Sequence, residues 1–177
     1  SKLPAAIRLQ ILINQIKHHE SKELTDLYLN TYAQATDGNF KRQLSTALAY
    51  TTDAGTVEKI LTEWKNKDVV KPQDLAMSWY FTFLHHEFTQ ESAWTWAREN
   101  WEWVKAALGG DMSFDKFVIY PANTFKTAER LAEFKAFFEP QLSDMAISRN
   151  ISMGIKEIAA RVELVKREKE AVEKAIR

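Results

Sequence analysis

Apolar residues near the end of the chain recur at spacings of four and three, which places side chains on one face of an α-helix. Only Lys169 interrupts the series, which is Ile151, Ile155, Ile158, Val162, Val165, Lys169, Val172 and Ile176. We therefore predict a long C-terminal helix with an apolar stripe. The stripe is either the seam of a free coiled coil or a face packed on neighbouring helices. We favour packing, because the series covers only about the minimum number of heptads for a coiled coil.

The rest of the chain also shows helical periodicity, interrupted by residues that start and stop helices, and no segment alternates as a strand would. The predicted N-caps are Ser21, Asp53, Thr89 and Thr127, the predicted turn is Asp37-Gly38-Asn39, and Pro121 is predicted to stop a short helix. We predict an all-α fold, about eight or nine helices in antiparallel pairs. The pairs are expected to stack as an α-solenoid, a superhelix of the HEAT or armadillo type, in a single domain over residues 1–177.

The charge balance argues against binding to nucleic acids. Lys and Arg number 24 and Asp and Glu number 24, so the net charge is zero, whereas neutralisation of phosphates requires a basic excess. No apolar run approaches the ~20 residues of a membrane-spanning helix. The absence of cysteine excludes disulfides and fits a cytoplasmic location. The beginning, Ser1-Lys2-Leu3-Pro4, has neither an initiator Met nor an apolar signal segment, so we expect a fragment of a longer protein.

Two short motifs resemble part of a zinc site but lack a required ligand. They are His18-His19-Glu20 and His85-His86-Glu87, and a zinc-protease helix needs a second His three residues after the Glu. Glu23 and Gln90 occupy those positions. Both motifs lie near predicted helix C-termini, where a histidine is favoured by the helix dipole. The sequence also lacks a nucleophile elbow and a phosphate-binding glycine loop. We predict no catalytic residue and no metal ligand in this chain.

Tryptophan is the unusual component of the sequence. Four of the six tryptophans are Trp94, Trp96, Trp101 and Trp103. Residues seven apart share a helix face, so two pairs lie roughly 160° apart around a predicted helix over 93–108. Such a helix either lies between two neighbours or presents one side to a partner. A base-stacking platform is the third interpretation, which the absence of a basic groove disfavours.

Around these tryptophans the sequence resembles the C-terminal domain of zinc aminopeptidases of the aminopeptidase N family. The segment Ala93-Trp94-Thr95-Trp96-Ala97-Arg98-Glu99-Asn100-Trp101 is similar to the family pattern A-W-x-F-x-x-x-N-W. Three further similarities occur in the family order: Leu61-x-x-Trp64 with its connector to Gln73-Asp74, Phe125-Lys126-Thr127 followed by Leu131-x-Glu133-x-x-x-Phe137-Phe138, and the amphipathic segment from Ile155. One departure is the segment 85–90, where relatives often carry an Asn-x-x-Gly turn.

The resemblance implies a division of labour within a longer polypeptide. The zinc ligands, and the motif that binds the free amine of the substrate, belong to a catalytic domain outside this chain. The implied partners are therefore that catalytic domain and peptide substrates. In the family, the helical domain closes over the catalytic domain and shapes a cavity that admits peptides and excludes folded proteins.

The resemblance also suggests candidate peptide contacts at the start of one helix. Phe125, Thr127 and Arg130 are expected near the cavity because the F-x-T segment opens a helix. The alternative interpretation is structural: a helix cap, the aromatic side chain that packs against it and a surface arginine. A different class of function also stays open, a stand-alone helical-repeat scaffold that binds another protein.

Overall fold

The computed structural model describes the backbone of residues 4–176 and the side chains of Pro4 and residues 7–169. Every regular element in that range is helical, which confirms the predicted all-α class. Residues 1–3 lie outside the described part. The side chains of Val172 and Ile176, the last two positions of the predicted stripe, also lie outside it. Two compact units are present, Ser1–Phe114 and Asp115–Arg177.

The first unit is built from short helices joined by tight connections. Its helices are α1 (Ala5–His19), α2 (Lys22–Gln34), α3 (Gly38–Leu48), α4 (Ala54–Glu63), α5 (Pro72–Asp74), α6 (Phe81–His85), α7 (Glu87–Glu99) and α8 (Trp101–Leu108), with a π-helical segment, Leu75–Tyr80, between α5 and α6. α3 packs on α1, on α2, on the π-helical segment and on α6, while α7 packs on α4 and α6. The stacking of helix pairs into a superhelix stays a prediction.

Aromatic side chains form the core between these helices. Trp64 follows α4, and the centroid of its ring lies 5.2 Å from that of Phe83 and 5.0 Å from that of Trp96. Tyr32 meets Trp79 edge to face at 4.9 Å. Edge-to-face contacts of this kind add to the free energy gained by burying the rings. The predicted pair Trp96 and Trp103 is also in contact, at 5.9 Å. These tryptophans therefore support the core of the first unit.

The second unit consists of a long helix packed on two shorter ones. Its elements are α9 (Lys116–Thr124), α10 (Ala128–Phe138), a 3-10 turn (Glu139–Gln141) and α11 (Ser148–Ile176). α11 packs on α9 and α10, as we favoured for its stripe. Ile151 and Ile158 are fully buried, Val162 is half-buried and Val165 is 45% exposed. Packing on neighbouring helices therefore accounts for the first half of the stripe.

Three of the four predicted N-caps are confirmed. The Ser21 hydroxyl accepts a hydrogen bond from the backbone N–H of Leu24 at 3.2 Å. The Asp53 carboxylate accepts one from Thr56 at 2.7 Å, and the Thr127 hydroxyl accepts one from Arg130 at 3.3 Å. Each bond satisfies one of the four N–H groups that a helix start leaves without a partner.

The fourth cap, Thr89, is wrong, and so is the continuous helix predicted over 93–108. α7 begins at Glu87, so Thr89 already lies inside the helix, where its buried hydroxyl donates to the carbonyl of Phe83 at 2.8 Å. Gln90 donates to the carbonyl of Leu84 at 2.8 Å. These two side chains supply hydrogen bonds to carbonyls in the last turn of α6. A single residue, His86, separates α6 from α7. The helix then breaks at Asn100, whose side-chain amide donates to the carbonyl of Trp96 at 2.8 Å.

Two further boundaries differ from the prediction. Asp37 is an N-cap and not part of a turn: its carboxylate accepts from the N–H of Asn39 at 2.9 Å, so α3 begins at Gly38. Pro121 lies inside α9 and does not stop it. A proline removes one backbone hydrogen bond. Here Pro121, Phe117 and Val118 are all buried, and this packing offsets the lost bond.

Candidate functional site

The three residues predicted to contact peptide lie together at the junction of α9 and α10. Phe125 follows the last turn of α9, and its N–H donates to the carbonyl of Pro121 at 2.9 Å. Its side chain is 1% exposed. Thr127 caps α10, and the guanidinium carbon of Arg130 lies 5.3 Å from the centroid of the Phe125 ring. Arg130 also donates to the carboxylate of Glu133 at 2.6 Å.

A fourth residue at this junction was missed by the sequence analysis. Arg161 extends from α11, and its Nη1 donates to the carbonyls of Ala122, at 2.9 Å, and Phe125. The last carbonyls of a helix have no partner within it, so the guanidinium supplies bonds that the end of α9 lacks. The signal available in the sequence was a long cationic residue directly before Val162 of the apolar stripe.

The α9–α10 junction combines a buried aromatic side chain, which has a structural role, with polar side chains at the surface. The burial of Phe125 fixes the turn between the two helices, and Thr127 and Arg161 satisfy the backbone groups on either side of it. The charge of Arg130 is balanced by Glu133 and by the face of the aromatic ring. Thr127 is exposed and Arg130 partly so. Contact between this surface and peptides stays a prediction.

The histidine motifs lie at helix ends, as predicted. Nδ1 of His85 lies 2.7 Å from the carbonyl oxygen of Phe81, and the ring of His86 packs on that of Tyr50 with centroids 4.1 Å apart. Burial lowers the pKa of His86, and the nearby His85 and Lys17 lower it further. Among the side chains described, no three His, Cys, Asp or Glu residues are grouped so as to hold a metal ion.

The first unit also contains an open groove between α4 and α7, with a volume of about 580 Å³. Val57, Leu61 and Trp96 contribute its apolar surface, and Phe88 at its edge is 67% exposed. The groove is further lined by Thr51, Thr52, Ala54, Glu58, Thr62, Lys65, Ser92, Thr95 and Glu99. Its polar groups are hydroxyls and three charged side chains.

The regular elements of the described residues are thus all helical, with a groove in the first unit and a capped helix junction in the second. In the part of the chain that the structure describes, no helix is long and apolar enough to cross a bilayer. Residues 1–160 match the family described as ERAP1-like C-terminal domain, and the chain belongs to this family.

The chain is similar to one part of several longer curated relatives. The chain is 55% identical over 175 residues to an aminopeptidase N of Lactococcus lactis subsp. lactis. It is 41% identical to an aminopeptidase N of Lactobacillus helveticus and 38% identical to one of Lactobacillus delbrueckii subsp. lactis. These alignments cover 98–99% of the chain and 20–21% of the relatives. The chain therefore spans about a fifth of the length of the relatives it matches.

Proposed function

We propose that this chain is the non-catalytic C-terminal domain of a zinc aminopeptidase that removes N-terminal residues from peptides. In this proposal the domain closes over the catalytic domain, restricts access to the active site and helps to bind peptide substrates. The zinc belongs to the catalytic domain, in the part of the polypeptide outside this chain. The absence of cysteine supports a cytoplasmic location.

The alignment to aminopeptidases N carries the proposal. Almost the whole chain matches a fifth of each relative, which leaves the larger part of those proteins to supply the chemistry. The described residues also present no cluster of metal ligands. A domain without reactive groups contributes to catalysis by positioning the substrate and by excluding water and oversized substrates.

The reading frame upstream of Ser1 gives the first test. We expect it to encode a zinc-protease helix, with two histidines on one face and a glutamate that activates water. A frame that starts with a Met close to Ser1 and lacks this motif would contradict the proposal, and would favour the stand-alone scaffold instead.

Activity of the isolated chain gives the second test. We expect no hydrolysis of aminoacyl-nitroanilides, with or without added zinc. Turnover that survives purification and disappears with a chelator would contradict the non-catalytic assignment.

A comparison of substrate sizes tests the gating role. The complete enzyme and a version lacking residues 1–177 are assayed with an aminoacyl-nitroanilide, with peptides of increasing length, and with a folded protein that has a free N-terminus. We expect the shortened enzyme to lose discrimination against the folded protein.

If the shortened enzyme does not fold, a second design keeps the gating role testable. In the complete enzyme, bulky residues replace exposed ones such as Thr127, and peptide turnover is compared with nitroanilide turnover. Gating predicts a change for long peptides with little change for the nitroanilide. Size discrimination that is identical in every version measured would contradict the role.

A further inference from the structure

The groove between α4 and α7 contains charged side chains that pair with no other residue in the described part of the chain. Glu58 stands on α4 and Glu99 on α7, and neither forms an ion pair with another described residue. Lys65 is the cation among the lining side chains, and it too forms no ion pair within the described part. The groove thus has an excess of one negative charge, which a bound cation would balance.

An apolar surface accompanies these carboxylates. Val57 and Trp96 are nearly buried where they line the groove, and Leu61 is half-buried beside them. Phe88, the second residue of α7, is 67% exposed on the same groove. An exposed aromatic ring beside an apolar cleft is the arrangement in which aromatic anchors bind partners.

The dimensions favour a small ligand over a folded partner. Sites for small ligands have volumes of about 300–1,000 Å³. The groove volume of about 580 Å³ falls inside that range. A stable interface between folded proteins buries at least about 1,000 Å² of surface, which this groove alone does not provide. The space is suited to two or three residues of a peptide.

We propose that the α4–α7 groove binds a short peptide in which an apolar residue stands next to Lys or Arg. The apolar side chain packs on Val57, Leu61 and Trp96, with Phe88 at its flank. The cationic side chain lies near Glu58 and Glu99. This site rests on the proposed function and names a place where the domain binds peptide, but binding to the isolated chain is measured without a catalytic domain and without turnover, so the two proposals fail separately.

The test measures binding of capped peptides to the 177-residue chain by titration calorimetry, with tryptophan fluorescence as a second readout. The probe is acetyl-Ala-Leu-Lys-Ala-amide, whose only charge is the lysine side chain. The matched probes replace Lys by norleucine or by Glu. We expect the lysine peptide to bind at least about threefold more tightly than the neutral one, with the difference falling as salt is added. The glutamate peptide is expected to bind most weakly.

Groove variants locate the binding. Glu58→Gln combined with Glu99→Gln is expected to weaken binding of the lysine peptide about three- to tenfold and to leave the norleucine peptide unchanged. The matched control combines Glu157→Gln with Glu163→Gln, two exposed glutamates of α11 outside the groove. Phe88→Ala is expected to weaken binding of both peptides, whereas Leu27→Ala, which removes an exposed side chain elsewhere, is not. Far-UV circular dichroism checks that each variant is folded.

Any of five results would overturn the proposal. The lysine peptide fails to bind at millimolar concentration, or it binds no better than the glutamate peptide. The groove variants bind as the wild type does, or the α11 control weakens binding equally. Sedimentation of the wild type and the same variants without peptide measures whether the chain associates with itself through the groove. Self-association that is lost with the groove carboxylates, while peptide binding is unchanged, would assign the groove to a second copy of the chain.

Discussion

Gly154 lies where α11 approaches α9 and α10 most closely, and replacing it by alanine gives a sharp test of the second unit. A Cβ atom at this position would stand 2.8 Å from the Cβ of Ala122 and 3.0 Å from Cζ of Phe134. Ordinary contacts between carbon atoms occur at about 3.5–4.0 Å. The Ala122 Cβ is attached directly to the backbone of α9, so it cannot move without shifting that helix, and the Phe134 ring is fully buried, so it has little room to turn aside.

Two opposing contributions set the magnitude. Alanine is favoured over glycine inside a helix by about 1 kcal/mol. Forcing an extra methyl group into a packed core costs about 1–3 kcal/mol, and contacts this short belong to the upper part of that range. We therefore expect Gly154→Ala to lower the free energy of unfolding by about 1–2 kcal/mol. For a chain of this size that corresponds to a fall in Tm of roughly 2–8 °C.

Gly38→Ala is the matched control, because a Cβ there meets nothing within 4 Å at the exposed start of α3. It is expected to be neutral or to stabilise by up to about 1 kcal/mol. Urea unfolding followed by far-UV circular dichroism measures both variants. If Gly154→Ala is as stable as the wild type, or gains stability as Gly38→Ala does, the close approach of the three helices is refuted.

Two further predictions concern a titrating side chain and a cap. The pKa of His86 is lowered below its ordinary value of 6.5 chiefly by burial, so the folded chain favours the neutral ring. The stability that the neutral ring contributes is therefore lost as pH falls below about 6.5. His86→Gln should flatten the dependence of unfolding free energy on pH between 7 and 5. Equal slopes for the wild type and the variant in urea titrations would contradict this. Thr127→Ala should lower the free energy of unfolding by about 1 kcal/mol through loss of the α10 cap. Thr127→Ser keeps the hydroxyl and should retain most of the stability. An alanine variant as stable as the wild type would show that the cap is unimportant.

Short-range chemistry explains which features were predictable from the sequence. Ser21, Asp53 and Thr127 bond to N–H groups three residues ahead, so the whole interaction is contained in a few letters of sequence. The apolar stripe of α11 is predictable for the same reason, because periodicity along one helix needs no knowledge of its neighbours. Such local rules correctly predicted the N-caps of α2, α4 and α10.

The failures depend on contacts between elements. Thr89 is a residue type that often caps helices, but α7 already begins at Glu87, and the Thr89 hydroxyl instead bonds to the carbonyl of Phe83 on the preceding helix. Pro121 has the composition of a stop, yet α9 continues through it because its neighbours are buried in the second unit. Arg161 was overlooked because its acceptors, the carbonyls of Ala122 and Phe125, are distant in sequence. The α4–α7 groove was not predictable for the same reason, since its two walls come from separate helices.

Trp96 connects the core of the first unit with the surface of the groove. Its ring packs on Trp64 and Trp103, and the same residue lines the groove. A groove surface fixed by core packing is already ordered before a ligand arrives, so binding immobilises the ligand and little of the protein. Changes at Phe88, which is exposed, should therefore alter the groove alone, whereas truncation of Trp64 should disturb core and groove together.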